Sequence, residues 1–148
     1  MEQVRLYDTT LRDGLGTPGI SLSVEERLKV AQALDRLGVH FIEAGFPSSN
    51  PKEAEFFGRL AELELSNATA VAFGMTRRRD RRASDDEALA VLVGAFAPVV
   101  CLVGKSWGLH LEKVIRASRE ENLAMIADSV AFCREAGKRV VYDAEHFF

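Results

Sequence analysis

The sequence predicts an α/β protein in which parallel strands alternate with helices. Short apolar runs recur along the 148 residues, and each of the first four is followed by a segment of helical periodicity. The fourth run, 98–103, is apolar at nearly every position, as expected for a parallel strand covered on both faces. Strands joined by helices in this way run parallel, with right-handed crossovers.

Two strand–helix units are predicted in the first half of the chain. A strand over 4–7 is followed by a helix that begins after Ser23, because Ser23 and Glu26 have the spacing of a capping box. A second strand over 39–42 is followed by a helix that begins at Asn50, with proline at its first position. The predicted buried faces of these helices are Leu28, Ala31, Leu34 and Leu37, and then Ala54, Phe57, Leu60 and Ala61.

The second half continues the alternation. A strand over 69–73 precedes a helix capped by Ser84, and the apolar strand over 98–103 precedes a helical region over 109–136 with an irregular start. A fifth strand is predicted over 138–142. No linker rich in proline or serine interrupts this order, so we expect a single domain.

Composition excludes several classes of function. A hydrophobic content of 47% and a charged content of 28% are typical of a globular protein, and the net charge of −3 argues against a general binder of nucleic acid or membrane surfaces. No segment approaches the ~20 apolar residues of a membrane helix, and no signal-peptide pattern is visible, so we expect a cytoplasmic protein. Cys101 and Cys133 form no metal or redox motif, and we expect both to be reduced and buried.

The alternation fits either an open doubly wound sheet or five-eighths of a (β/α)8 barrel. Neither of the glycine patterns that bind nucleotides in open sheets occurs, which weakens the first alternative. In a barrel, reactive side chains collect at the C-terminal ends of the strands. Every predicted strand here is followed by titratable or hydrogen-bonding residues: Arg12 and Asp13; Glu43; Thr76 and Arg77; Lys105; Asp143, Glu145 and His146. The opposite ends carry fewer such groups, and this asymmetry favours the barrel.

The segment 8–14, Asp-Thr-Thr-Leu-Arg-Asp-Gly, follows directly on the first apolar strand. It resembles the Arg-Asp signature of the DRE-TIM metallolyase family, the metal-dependent TIM-barrel enzymes that include isopropylmalate, homocitrate and citramalate synthases and hydroxymethylglutaryl-CoA lyase. The resemblance covers nearly the whole chain and looks closest to the citramalate-synthase branch. It is carried by further segments at 41–47, 48–53, 104–110, 120–126 and 142–148.

The resemblance implies roles for four residues. Asp13 corresponds to the family's metal-binding aspartate, and Arg12 to the arginine that neutralises the oxygen on which negative charge develops. A divalent cation and a guanidinium polarise the same carbonyl in such a reaction. Glu43 is implied as an active-site carboxylate that binds Arg12 or the substrate, and Glu145 as the glutamate close to the acetyl donor. Lys105, at the mouth end of the fourth strand, is a candidate for binding the coenzyme.

The implied activity is that of an acyltransferase. Acetyl-CoA would condense with a 2-keto acid such as pyruvate to give citramalate or a related 2-hydroxy diacid, with release of coenzyme A and help from Mg²⁺, Mn²⁺ or Zn²⁺. One alternative reverses the chemistry, in a lyase of the hydroxymethylglutaryl-CoA type. Another is a catalytically silent half-barrel that associates with a partner. We also expect a homo-oligomer that binds neither nucleic acid nor membranes.

The family completes its metal site with a His-x-His pair on a later strand. The three histidines of this sequence, His40, His110 and His146, contain no such pair, and strands six to eight are not predicted. We therefore expect residues 1–148 to be the N-terminal part of a single (β/α)8 catalytic domain and to be inactive in isolation.

The arginine-rich run 76–82 has two interpretations. It can be a solvated loop that pairs with Asp85, Asp86 and Glu87, or a binding site for a carboxylate or for the phosphates of coenzyme A.

Overall fold

The computed structural model describes residues 3–148, which form one five-stranded parallel sheet. The strands are β1 (Tyr7–Asp8), β2 (Phe41–Gly45), β3 (Thr69–Met75), β4 (Val99–Lys105) and β5 (Arg139–Glu145). The main helices are α1 (Val24–Leu37), α2 (Pro51–Leu60), α3 (Glu87–Gly94) and α4 (Arg119–Glu135). Each strand pairs with its neighbour in sequence, in the order β1-β2-β3-β4-β5. That is the order of a (β/α)8 barrel and not of a doubly wound sheet, so the half-barrel confirms the predicted fold class.

The sheet buries a different apolar set on each face. On one face, alternate residues such as Ala72 and Leu102 pack with residues of the helices, including Leu28 and Phe56. On the opposite face, no helix among residues 3–148 contributes to the buried cluster. This cluster consists of Val71, Phe73, Val99, Cys101 and Val103, with Tyr7, Phe41 and Phe46 packed against it. Because side chains alternate along a strand, this face corresponds to the interior of a barrel.

Two helix starts follow the local sequence signals. Ser23 caps α1 in a capping box, in which Glu26 N donates to Ser23 Oγ at 3.2 Å and Ser23 N donates to Glu26 Oε2 at 2.7 Å. Asn50 caps α2, and its side chain accepts from Glu53 N at 3.1 Å. A cap of this kind contributes about 1 kcal/mol. Gly38 ends α1 in the left-handed conformation, with φ of 85°, which a glycine adopts without strain.

The other helix starts differ from the prediction. Asp86, and not Ser84, caps α3, because the Asp86 carboxylate accepts from Ala88 N and Leu89 N. The predicted helical region 109–136 is divided: short helical turns over 108–115 end at Arg116, whose φ is 52°, and α4 begins after Ser118.

Strand bounds and part of the predicted core also need correction. β1 is shorter than predicted, and Val4 and Leu6 before it are 79% and 54% exposed, since β1 is an edge strand among the described residues. The other four strands run two or three residues past their predicted ends, so that Glu43, Lys105 and Glu145 lie within strands.

Three predicted core positions are wrong, and one buried residue was not predicted. Leu37, in the last turn of α1, is exposed, and so are Ala54 in α2 and Ala61, which follows α2. Phe56 is fully buried instead, because its ring packs under the Arg27 guanidinium, 3.9 Å from the ring centroid. Both cysteines are free and buried, as predicted. No helix among residues 3–148 combines the length and hydropathy needed to span a membrane.

Candidate active site

The loop after β1 is folded around one carbonyl oxygen. Thr9 O accepts hydrogen bonds from the backbone N–H groups of residues 12–14 at 2.8 to 3.1 Å. Leu11, only 1% exposed, anchors the loop in the core. Together these contacts fix Arg12 and Asp13 at the C-terminal end of β1, where the sequence places them.

The Arg12 guanidinium is held on three sides. Its Nε donates to Glu43 Oε1 at 2.5 Å, its Nη1 donates to Asp13 Oδ1 at 3.0 Å, and its Cζ lies 4.1 Å from the centroid of the Phe73 ring. The last contact is a cation–π interaction. Burial alone would lower the pKa of Arg12, but the hydrogen bond and the charge of Glu43 raise it above its ordinary value, so Arg12 stays cationic. Glu43 thus binds Arg12, one of the two partners that we expected for it.

Glu43 is 1% exposed and lies where the register between β2 and β3 shifts. Its second oxygen, Oε2, accepts from the Tyr7 hydroxyl at 2.5 Å. Burial, and then this hydrogen bond, raises the pKa of Tyr7, so the phenol remains a donor. Burial and the nearby Glu43 charge also raise the pKa of the Cys101 thiol to about 12. Both carboxylate oxygens therefore have partners, as a buried charge requires.

Tyr7 is a site residue that the sequence reasoning missed. The available signal is a phenol in the apolar run that leads into the Arg-Asp loop.

Lys105 and Glu145 form a second group. They are register partners on β4 and β5, and the Lys105 ammonium forms an ion pair with Glu145 Oε2. The hydrogen bond from Lys105 lowers the pKa of Glu145, so this carboxylate is ionised at neutral pH. Within residues 3–148, no hydrogen bond or ion pair links this pair to Arg12, Asp13 or Glu43.

Two cavities open beside these groups. One of about 310 Å³ is lined by Tyr7, Arg12 and Glu43, together with residues of β4 and β5. The other, of about 430 Å³, lies between the ends of β3 and β4 and is lined by residues 75–79 and 103–105, among others. Both volumes lie within the range of small-molecule sites.

The arginine run makes mainly structural contacts. Arg77 is buried, and its guanidinium donates to Glu121 and Asp128 at 2.8 Å each, which ties the end of β3 to α4. Of the predicted acidic partners, Asp85 pairs with Arg82 at 3.0 Å. In the part of the chain that the structure describes, Asp86 and Glu87 form no ion pair with the run. The Asp86 carboxylate instead caps α3.

Metal-ligating side chains come together at one place among the described residues. Ligand atoms of His110, Glu145 and His146 all lie within 4.8 Å of one another. Asp13 belongs to no such group of three within residues 3–148, and its side chain is 73% exposed beside Arg12.

Comparison with known proteins gives a consistent pattern. A family model described as HMGL-like matches residues 3–148. The (R)-citramalate synthase of Sulfolobus acidocaldarius is 46% identical over 147 residues, which is 99% of this chain and 28% of that protein. The (R)-citramalate synthase of Synechocystis is 48% identical over 143 residues, 97% of this chain and 26% of that protein.

Among solved structures, hydroxymethylglutaryl-CoA lyase from Pseudomonas aeruginosa superposes with a TM-score of 0.71 at 18% identity, covering 95% of this chain and 45% of that one. At this identity the structural match supports the fold alone. The chain spans little more than a quarter of the length of the synthases that it matches.

Proposed function

This chain belongs to the HMGL-like family, and from that premise we propose that it provides the residues that bind the keto acid in an acyltransferase that makes citramalate. In this proposal acetyl-CoA condenses with pyruvate, and coenzyme A is released. Support comes from identities of 46% and 48% with (R)-citramalate synthases over nearly the whole chain. Because the chain spans about 28% of such a synthase, the proposal concerns a protein in which residues 1–148 form the N-terminal part of one catalytic barrel.

The main structural support for the proposal is the immobilised guanidinium of Arg12. Its Nε is taken by Glu43, one Nη1 proton by Asp13 and one face by Phe73. Arg12 also lines the cavity of about 310 Å³. A planar fork of donors fixed in this way binds a carboxylate or keto oxygen and stabilises the alkoxide that forms there.

We propose the following sequence of events for this condensation. A base removes a proton from the methyl group of acetyl-CoA, and the resulting carbanion adds to the keto carbon of pyruvate. Arg12 stabilises the negative charge that develops on the keto oxygen. We assign Glu145, an ionised carboxylate at the end of β5, to the acetyl donor. Water then cleaves the thioester and coenzyme A leaves.

The family is metal-dependent, and Asp13 is the proposed ligand here for Mg²⁺, Mn²⁺ or Zn²⁺. Its exposed carboxylate supplies an oxygen of the kind that hard divalent cations prefer. Mg²⁺ and Mn²⁺ take about six ligands and Zn²⁺ about four, and within residues 3–148 no pair of His, Cys, Asp or Glu side chains joins Asp13. The described residues do not complete this site, so no step above passes through a metal.

The larger cavity, of about 430 Å³, is the proposed place for the coenzyme. Lys105 lines it, but the Lys105 charge is compensated by Glu145. Arg78 lines the same cavity and forms no ion pair within residues 3–148. Arg78 is therefore the stronger candidate for binding an anionic phosphate of coenzyme A.

A chimera tests the proposal. Residues 1–148 replace the matching segment of the Sulfolobus acidocaldarius (R)-citramalate synthase, and free thiol is measured. We expect thiol release that requires both acetyl-CoA and pyruvate, while residues 1–148 alone release none. Arg12→Lys should lower the rate by at least about 100-fold, since lysine lacks the fork that reaches Glu43 and the substrate together.

The matched control is Arg5→Lys, at an exposed arginine ahead of β1, which should leave the rate unchanged. A chimera that is folded by circular dichroism but releases no thiol would overturn the proposal.

A further inference from the structure

We propose that His110, Glu145 and His146 form a binding site for a divalent transition-metal ion, with Zn²⁺ as the ion that fits best. Their ligand atoms all lie within 4.8 Å of one another. The two imidazole rings are perpendicular, with centroids 4.8 Å apart, and His146 Nε2 lies 3.9 Å from Glu145 Oε1. The site is separate from Asp13 but shares Glu145 with the proposed reaction, and its binding test does not depend on that reaction.

The backbone at the end of β5 brings two of the ligands together. In a continuing strand, the side chains of residues 145 and 146 would point to opposite faces of the sheet. His146 instead has a φ of 59°, in the left-handed region, which costs a residue other than glycine roughly 1–2 kcal/mol. This conformation turns the chain so that the imidazole lies beside the carboxylate of its neighbour.

His110 has bonding capacity that the protein does not use. Its Nδ1 is buried and has no hydrogen-bond partner among the described residues. A buried polar atom without a partner costs about 1–3 kcal/mol, so such atoms are rare in folded proteins. The Trp107 ring packs against His110, with centroids 4.8 Å apart.

Glu145 can bind a cation without giving up its existing partner. The Lys105 ammonium pairs with Oε2, whereas Oε1 is the oxygen nearest to His146 Nε2. A ligating carboxylate that is also held by a second group is the usual arrangement at protein metal sites.

Two imidazoles and one carboxylate are a common protein ligand set for Zn²⁺, which leaves a fourth position for water or a further ligand. Zinc–ligand bonds of about 2.0–2.2 Å place ligand atoms roughly 3.4 Å apart. The observed 3.9 Å between His146 Nε2 and Glu145 Oε1 is within reach of that spacing through side-chain rotation.

Metal binding by the purified, metal-free protein tests the site. Zn²⁺ is titrated by calorimetry, and Co²⁺ is titrated by its visible absorption and then displaced with Zn²⁺. We expect one Zn²⁺ per chain. His110→Phe and His146→Phe keep an aromatic ring beside Trp107 but remove the nitrogens. Each should weaken Zn²⁺ binding by more than ~100-fold, which is the most that losing a group hydrogen-bonded to a ligand costs.

Two controls separate this site from the other candidates. Asp13→Ala should leave Zn²⁺ binding by residues 1–148 unchanged, since Asp13 is outside the cluster and the described residues do not complete a site around it. His40→Gln removes the third histidine of the chain and should also leave binding unchanged.

A measurement on the unmodified chain avoids any variant that fails to fold. Zn²⁺ should protect His110 and His146, but not His40, from diethylpyrocarbonate, as read by peptide mass spectrometry. Absence of Zn²⁺ binding by the folded protein overturns the proposal, as does binding that survives both phenylalanine substitutions or disappears in Asp13→Ala.

Discussion

Replacing the buried carboxylate of Glu43 should destabilise the fold more than replacing an exposed carboxylate does. In Glu43→Gln the amide has one oxygen, whereas both Tyr7 OH and Arg12 Nε donate to this side chain. The amide NH₂ must then face one of these donors. A hydrogen bond to a charged group contributes about 1.5–3 kcal/mol. The Arg12 side chain is 24% exposed and keeps Asp13, which reduces the loss, so we expect about 2 kcal/mol.

Urea unfolding followed by circular dichroism measures this cost. With a urea dependence of about 1–3 kcal/mol per molar, the midpoint should fall by roughly 1 M. The matched control is Glu25→Gln, because Glu25 pairs with Arg59 at 2.8 Å but both side chains are largely exposed. That exposed pair is worth less than about 1 kcal/mol. If both variants shift the midpoint equally, the buried ion pair does not stabilise the strand ends as described.

Two further substitutions test the scaffold beneath the site. Gly45→Ala should lower the free energy of unfolding in urea by about 1–3 kcal/mol, because a Cβ there would collide with the Glu53 carboxylate. The control Gly58→Ala, in open space on α2, should raise it by up to ~1 kcal/mol. Equal effects of the two substitutions would contradict the packing around Gly45. Asp35 accepts three hydrogen bonds from the backbone N–H groups of residues 66–68, which lower its pKa although burial opposes this. The ionised Asp35 therefore contributes its full stabilisation above the unfolded-state pKa of about 3.9, and this contribution is lost as the pH falls through the lower folded-state pKa. In Asp35→Asn the free energy of unfolding should drop less steeply below pH ~4 than in the unmodified protein. An unchanged slope would refute this.

Some features of the fold could be predicted because they depend on neighbouring residues alone. Ser23 and Asn50 cap helices through bonds to residues three positions away, and such spacings are visible in the sequence. The start of α3 could not be predicted in this way, since Ser84 and Asp86 are both good caps. Asp86 is selected because its Oδ2 also accepts from Arg78 N at 3.0 Å, a contact that ties the loop after β3 to the helix.

Part of the candidate site could be predicted from the sequence, and part depends on contacts between distant residues. The contact between Arg12 and Glu43 could be anticipated, because both lie near the C-terminal ends of adjacent parallel strands. The partner of Glu145 could not, since its pairing with Lys105 depends on the register between β4 and β5. Tyr7 was missed because a phenol in an apolar run is more often part of a core.

Product analysis of the chimera tests directly whether this chain supports citramalate formation. Acetyl-CoA and ¹³C-labelled pyruvate are supplied, and products are identified by mass spectrometry. We expect labelled citramalate in amounts equal to the thiol released, and at least about 100-fold slower formation of both products when Arg12 is replaced by lysine. A folded chimera that makes no citramalate, or that instead cleaves hydroxymethylglutaryl-CoA, would contradict the proposed function.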